Sequence, residues 1–337
     1  MSKVITNKRI DIYETSDIHT ENFNDLYPRS VFWSQFDAIK PIHCDHFNVL
    51  ILAGDIFKLR KGVLAKEVVS EFRSRFDLVL YVPGNHEYYN SNFDSESLKG
   101  IEKLNEIDGV FVLDNDEIIL KGEDGEIAFI GSTLWTDIAL NKEDADYVSE
   151  YLGQGTYRFR DFKAIRKKLI GKNSYARLKP IDQTLRHKEC VLFLDETIEK
   201  HKNENRTVIV ITHHSPSFKS ASRFKKGTPI EFKDAIRKLN SEGIVPRLNP
   251  LESGDIDLYA KYSGKGTSLY CSNLDPLIKR LQPDFWFHGH IHEKISYYIG
   301  DTLIQSDPFG YINRKELREV REQIPIQISF KSITPPK

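Results

Sequence analysis

Six short apolar runs rich in β-branched residues lie at 10–13, 49–53, 78–82, 127–130, 208–211 and 285–288, with Gly, Pro, Asn or Asp within a few residues of each. Runs of that length and composition read as strands buried on both faces. Segments with helical spacing lie between several of them, at 63–76, 98–107, 182–201 and 232–239. Strand alternating with helix places the chain in the α/β class. Runs at 295–299, 303–305 and 326–330 have little helix between them and predict a second group of strands pairing as hairpins. The expectation is therefore two packed sheets.

Five of the runs finish in residue types that ligate metals. Residues 10–13 lead into Ser16-Asp17-Ile18-His19, 49–53 into Gly54-Asp55, and 78–82 into Pro83-Gly84-Asn85-His86-Glu87. Residues 208–211 lead into Thr212-His213-His214, and 285–287 into His288-Gly289-His290-Ile291-His292. In open α/β sheets the crevice beyond the carboxyl ends of the strands is where ligands bind, so these ends predict one shared site. Asp17 and His19, like His290 and His292, are two residues apart. If the chain is extended there, each pair projects on one side. Gly54, Gly84 and Gly289 stand beside the polar residues, where a missing side chain lets backbone approach closely.

The candidate donors, Asp17, His19, Asp55, Asn85, His213, His290 and His292, offer only nitrogen and oxygen. That mixture suits Mn, Fe or Zn better than an all-oxygen or thiolate shell would. Seven groups exceed the needs of a single catalytic ion, which keeps a position open. They match two ions about 3.5–4 Å apart sharing a carboxylate, the arrangement used for in-line displacement at phosphorus.

Composition narrows the alternatives. A net charge of -1 over 337 residues disfavours nucleic acid as the principal partner, because nonspecific phosphate binding needs a concentrated basic surface. The clusters Arg166-Lys167-Lys168 and Arg223-Phe224-Lys225-Lys226 read first as solvated faces. No run of about 18 apolar residues and no signal-like start occur, so a cytoplasmic protein with no membrane partner is expected, with no obligate protein partner evident. Cys44, Cys190 and Cys271 stand far apart and read as buried apolar filler rather than a disulfide framework or thiolate site. Because the motifs run from Asp17 to His292, residues 1–337 are expected to form one domain. The polar, broken segment at about 217–270 leaves directly from a candidate metal-binding turn and reads as a lid or substrate wall.

The series Asp17-x-His19, Gly54-Asp55, Gly84-Asn85-His86-Glu87, Thr212-His213 and Gly289-His290-x-His292 resembles the calcineurin-like metallophosphoesterases across residues 10–311. Three further stretches, Thr133-Leu134-Trp135-Thr136-Asp137, Thr212-His213-His214-Ser215-Pro216-Ser217 and Trp286-Phe287-His288-Gly289-His290, resemble a bacterial-type branch with no settled substrate. The resemblance implies a four-layer α/β/β/α sandwich of two mixed sheets flanked by helices. It also implies that Asp17, His19, Asp55 and His292 hold one ion, and Asp55, Asn85, His213 and His290 the other, with Asp55 bridging. Two such ions would lower the pKa of a bridging water and neutralise charge on the phosphoryl oxygens. Asp55 and His86 are then the catalytic residues, with His86 contacting phosphate and helping to protonate or stabilise the leaving oxygen.

Asn85, His86 and His214 are the substrate-binding candidates, although His214 reads equally as support for a ligand or as a turn residue; His288 reads as structural. Two departures from the wider pattern matter. Ser306-Asp307-Pro308-Phe309-Gly310-Tyr311 stands where the branch has Asn-Pro-x-Gly-Tyr, which changes the nearby wall. Gly54-Asp55 continues as Ile56-Phe57-Lys58 without Asp-Arg-Gly, which disfavours a phosphoprotein phosphatase. The leading expectation is hydrolysis of a phosphodiester or small phosphomonoester. A nuclease on single-stranded nucleic acid is the alternative, marked by Arg160, Arg166, Lys167, Lys168, Arg223, Lys225 and Lys226 forming one strip into the cleft. A non-catalytic scaffold is disfavoured because no ligand is missing.

Overall fold

The structure is a computed structural model that describes residues 2–23, 37, 39–58, 62–92, 100–101, 103–123, 125–137, 160–169, 171–172, 174–220, 270–309 and 328–329. In chain order the strands are β1 (Ser2–Ile5), β2 (Ile10–Thr15), β3 (Phe47–Ala53), β4 (Leu78–Val82), β5 (Val110–Val112), β6 (Asp116–Gly122) and β7 (Gly125–Ser132). They continue with β8 (Arg166–Lys168), β9 (Tyr175–Arg177), β10 (Thr207–Thr212), β11 (Phe285–His288), β12 (Ile295–Ile299), β13 (Thr302–Ser306) and β14 (Ile328–Ser329). The helices are α1 (Gly62–Arg75), α2 (Arg160–Ala164), α3 (Pro180–Asn203) and α4 (Asp275–Leu281).

A seven-stranded mixed sheet has the order β1-β6-β7-β10-β11-β13-β12, and a five-stranded sheet the order β14-β2-β3-β4-β5. Why the strands read as unbroken apolar runs is visible in β3 and β10. Val49, Ile51 and Ala53 enter the same apolar cluster as Ile209 and Ile211, so these residues fill the space between the two sheets. Their alternate neighbours Leu50, Leu52, Val208 and Val210 join a second cluster with Val68, Val69 and Phe72 of α1 and Leu194 and Ile198 of α3. Both faces of each sheet are therefore covered, giving helix, sheet, sheet and helix as four layers.

Register decides where the polar strand ends fall. β2 and β3 pair in parallel through Thr15 and Leu52, and β3 pairs with β4 through Ala53 and Val82. In the other sheet Ser132 pairs with Thr212, and Thr212 with His288. Asp17, Asp55 and Asn85 consequently leave one sheet side by side, while His213 and His290 leave the other.

Several details differ from the sequence reading. β12 and β13 do form a hairpin, but β13 also pairs in parallel with β11, so the hairpin extends the large sheet rather than founding a separate group. β14 joins neither; it pairs antiparallel with β2 and covers an edge of the five-stranded sheet. Of the expected helix at 98–107, the described residues hold a helical pair at 100–101 and a 3-10 turn at Lys103–Glu106, with 98, 99 and 102 outside them. Cys190 and Cys271 are buried, whereas Cys44 is exposed, a correction to the expected filler role. The expected helix at 232–239, and the 217–270 segment apart from 217–220 and Tyr270, lie outside the described residues. No described helix is long and apolar enough to cross a membrane.

Candidate metal centre

The turns that follow the strands hold an unusual backbone. Asp17, His19, Asp55, His290 and His292 have φ values of 53°, 50°, 56°, 69° and 51°. The left-handed region costs an L-residue roughly 1–2 kcal/mol. Strain gathered this way persists only where its surroundings over-determine it. Here the surroundings are backbone hydrogen bonds from Asp17 N to Gly54 O, His19 N to Asp55 O and Thr20 N to Ile56 O, each 2.9 Å. Asp17 and His19 fall in one group of ligand atoms while His290 and His292 fall in two, and all four sit in left-handed turns, not the extended backbone expected from their spacing.

The donor atoms meet at two places. Asp17, His19 and His292 bring one ligand atom each within 4.8 Å of one another, and so do Asp55, His213 and His290. Asp55 faces both groups: Oδ1 is 3.4 Å from His213 Nε2, and Oδ2 is 3.8 Å from His19 Nε2. A carboxylate so placed can bridge. His213 Nδ1 is 2.9 Å from the Ala53 carbonyl, which can only accept, so Nδ1 carries the proton and Nε2 presents a lone pair. That lone pair lies 3.0 Å from Asn85 Oδ1 and 3.1 Å from His290 Nδ1. Asn85 in turn is oriented by donating through Nδ2 to Asp161 Oδ1 at 2.8 Å.

Acceptors converging with so few protons between them are what a cation reconciles. Burial lowers the imidazoles of His19 and His213 to about 4, keeping both neutral and available as ligands. Burial, then the neighbouring Glu87 and Asp17, pushes the Asp55 carboxyl well above the usual carboxylate range. Divalent ions beside it would remove that penalty. The residues therefore fit a pair of divalent ions.

A model of the calcineurin-like phosphoesterase family matches residues 10–294. The chain belongs to that family. Its relatives include an uncharacterised protein, L509, of Acanthamoeba polyphaga mimivirus, 30% identical over 306 residues that make up 89% of this chain and 91% of the relative. In fold it is similar to the phosphopantetheinyl hydrolase of Mycobacterium tuberculosis, with a TM-score of 0.61 at 14% identity, covering 98% of this chain and 100% of that one.

Around the donors this phosphoesterase carries supporting groups that the sequence motifs did not reveal. Glu21, in the 3-10 turn Thr20–Phe23, accepts from His86 Nδ1 at 2.8 Å and lies 3.5 Å from His19 Nδ1. Burial opposes its ionisation, but hydrogen bonds from the two histidines more than offset this and hold the carboxyl well below the usual range. Glu87 accepts from the backbone N–H groups of Asp55, Ile56, Phe57 and Gly84 at 3.1, 2.8, 3.2 and 2.8 Å, locking the β3 turn against the β4 turn. Asp161, on α2, accepts from Asn85 and, at 2.6 Å, from Tyr89 Oη; burial raises its carboxyl to about 6.

His86 stacks on Tyr89 with ring centroids 4.1 Å apart, and its Nε2 lies 3.8 Å from Asp55 Oδ2. Lys58 Nζ and the Arg160 guanidinium lie 5.9 and 5.4 Å from the centre of the Tyr89 ring, and Lys58 Nζ is 3.7 Å from Glu21 Oε1. His214 is fully buried behind His290, with ring centroids 4.2 Å apart, and its Nδ1 donates to the Thr133 carbonyl at 3.1 Å. His288 is buried and bonded to Ser220 Oγ at 3.0 Å. The altered wall after β13 braces the first turn: Phe309 N donates to Ser16 O at 2.8 Å, next to Asp17.

Proposed function

We propose that the chain acts as one catalytic unit hydrolysing a phosphodiester or small phosphomonoester with two divalent ions of the Mn, Fe or Zn type. Asp17, His19, Asp55 and His292 hold one ion; Asp55, Asn85, His213 and His290 hold the other. The observation that carries this reading is His213 Nε2, a lone pair facing Asn85 Oδ1 at 3.0 Å, His290 Nδ1 at 3.1 Å and Asp55 Oδ1 at 3.4 Å. When bound, the ions supply Lewis acidity toward water and phosphoryl oxygens.

The chain's own groups do the rest. Glu21 accepts the proton on His86 Nδ1, which aims Nε2 at the side where Asp55 sits and stabilises the imidazolium when Nε2 also carries a proton. That proton passes to the leaving oxygen. Lys58 and Arg160 flank Tyr89 and supply positive charge toward a phosphate. His214 supports His290 from behind and does not meet the substrate.

The test is a substrate panel of activated aryl phosphomonoesters and diesters, nucleotides, a phosphopantetheinyl ester and single-stranded nucleic acid, each with Mn, Fe, Zn or Co. The phosphopantetheinyl ester is included because of the name of the Mycobacterium protein. Nucleic acid is included although Lys167, one residue of the strip a nuclease would need, pairs with Asp182 at 2.5 Å, and Arg223, Lys225 and Lys226 lie outside the described residues. Metal-dependent turnover of an ester that disappears in Asp55→Asn is expected. No turnover of any substrate with any metal would defeat the reading.

A further inference from the structure

A second group of ligand-type residues lies at the other end of β2. Asp11 and Asp17 are six positions apart along a strand and its exit. At about 3.3 Å per residue this separates the group from the centre above by on the order of 15 Å. Asp11 is completely buried, and its Oδ2 is met by His43 Nδ1 at 2.7 Å and His46 Nδ1 at 2.9 Å. The two rings stand 4.7 Å apart at 40°. One ligand atom from each of the three residues falls within 4.8 Å of the others.

The turn that presents the imidazoles is built for the purpose. Asn48, the β3 residue paired with Asp11, donates through Nδ2 to the carbonyls of both His43 and His46, at 3.0 and 3.1 Å. His46 N closes the turn on His43 O at 3.3 Å, and Asp77 Oδ2 accepts from Asn48 N at 2.8 Å. One amide thus sets both histidines at the height of the buried carboxylate.

Hydrogen bonding does not account for the arrangement. His43 Nδ1 is aligned with Asp11 Oδ2, which explains one of the two contacts. His46 Nδ1 is buried and 2.9 Å from the same oxygen yet has no hydrogen-bond partner among the described residues, and neither has the buried Asp11 Oδ1. An uncompensated buried carboxylate oxygen is costly. A cation taking lone pairs from both imidazoles and the carboxylate gives His46 Nδ1 a partner and offsets the buried charge of Asp11. The catalytic residues show the same signature of converging acceptors, with His292 Nε2 3.2 Å from Asp17 Oδ1. Two imidazoles and one carboxylate form a zinc-type set, and the side chains of His43 and His46, 43% and 19% exposed, leave solvent a route to the ion.

We propose that Asp11, His43 and His46 form a separate zinc site that clamps the 43–46 turn onto the start of β2. The same residue, Asp11, pairs through its backbone with Ser329, so the clamp sits where β14 attaches.

The experiment loads purified full-length protein with zinc alone, removes free metal and counts ions per chain by elemental analysis. A catalytic-centre variant, Asp17→Asn/Asp55→Asn/His213→Gln, isolates the new site whether or not the phosphoesterase reading holds. This variant should keep about one zinc and melt at a higher temperature with zinc than without, because the ion binds only the folded form. Adding His43→Gln/His46→Gln should abolish both effects. In the otherwise native chain, His43→Gln/His46→Gln should lose about one ion of the wild-type complement and retain hydrolysis, since neither residue touches the catalytic donors. Because the His43 side chain is only half-buried, His43→Gln alone provides a variant that folds if the double substitution does not, and it should weaken zinc binding at least tenfold. The proposal is overturned if the catalytic-centre variant binds no zinc, or if the His43 and His46 variants bind as much as their parents.

Discussion

Glu21 Oε1 lies 2.8 Å from His86 Nδ1, and that contact fixes which nitrogen of the imidazole faces the centre. Nδ1–H belongs to the carboxylate, so Nε2 is left on the side of Asp55 Oδ2, 3.8 Å away. A carboxylate behind an imidazole orients it and supports its charged form, as in other acid–base pairs. Glu21→Gln should lower kcat roughly ten- to hundredfold with KM and bound metal little changed. His86→Ala should cost more, about 10²- to 10⁴-fold. Stopped assays with parallel metal counts check both; loss of metal in Glu21→Gln would show that Glu21 braces His19 rather than His86.

The direction of the Asn85 amide is set by Asp161 Oδ1, which receives its Nδ2 at 2.8 Å, with Tyr89 Oη as a second acceptor at 3.2 Å. Asp161→Ala frees the amide to turn its nitrogen toward His213, where a donor repels a cation. Affinity for the ion proposed at Asn85, His213 and His290 should fall about 10- to 100-fold, while Tyr89→Phe, which removes a neighbouring bond to the same carboxylate, should cost less. Titration of chelator-stripped protein with Mn or Zn measures this directly. An unchanged affinity in Asp161→Ala would remove Asp161 from the support of the centre.

The donors were legible in the sequence because each is tied to a strand end, and strand ends are set by apolar runs that composition exposes. Their supports were not. Asp161 sits 76 residues from Asn85 on a five-residue helix with no motif, and Glu21 belongs to a short 3-10 turn whose direction depends on β2 and β3 already being paired. Even the proximity of Asp17 and His19 has a cause that spacing could not show, since left-handed φ values depend on hydrogen bonds to Gly54 and Asp55 from the neighbouring strand end. β6 escaped notice for a different reason. Asp116, Glu117 and Lys121 interrupt its apolar pattern, and its place in the sheet comes from antiparallel pairing with β7.

Gly84 has no room for a side chain. A Cβ there would lie 2.3 Å from Asp55 Oδ1, 2.5 Å from Asp55 N and 2.8 Å from His213 Cε1. Gly84→Ala must therefore push the Asp55 carboxylate away from its position or move the β4 turn, at a cost of about 1–3 kcal/mol typical of overpacking. The expected outcome is a lower melting temperature together with loss of metal and of hydrolysis. A variant that melts lower but binds its metals as tightly as the parent would show that the turn yields while Asp55 stays in place.

His201 gives a pH dependence that is independent of the metal centre. Its side chain is fully buried, Nε2 lies 2.6 Å from Glu117 Oε2, and Nδ1 lies 2.9 Å from the Arg206 guanidinium. Arg206 can only donate and Glu117, when ionised, can only accept, so the ring is neutral with its proton on Nε2. A second proton would set Nδ1–H against Arg206. Burial is the main cause that lowers the His201 imidazole below its ordinary value. The unfolded chain thus takes up the proton first, near pH 6.5, and the stability His201 contributes is complete above that pH and lost as pH falls. Glu117 acts with the same sign lower down: burial opposes its charge, Lys200 and His201 more than offset this, and its contribution declines only below about pH 4.5. The unfolding free energy of the parent minus that of His201→Gln should therefore decrease from pH 7 to pH 5, by no more than about 1.4 kcal/mol per pH unit for a single proton. Denaturant titrations at matched pH measure the difference. A difference that is flat or rises on acidification would mean that His201 is already charged in the folded protein.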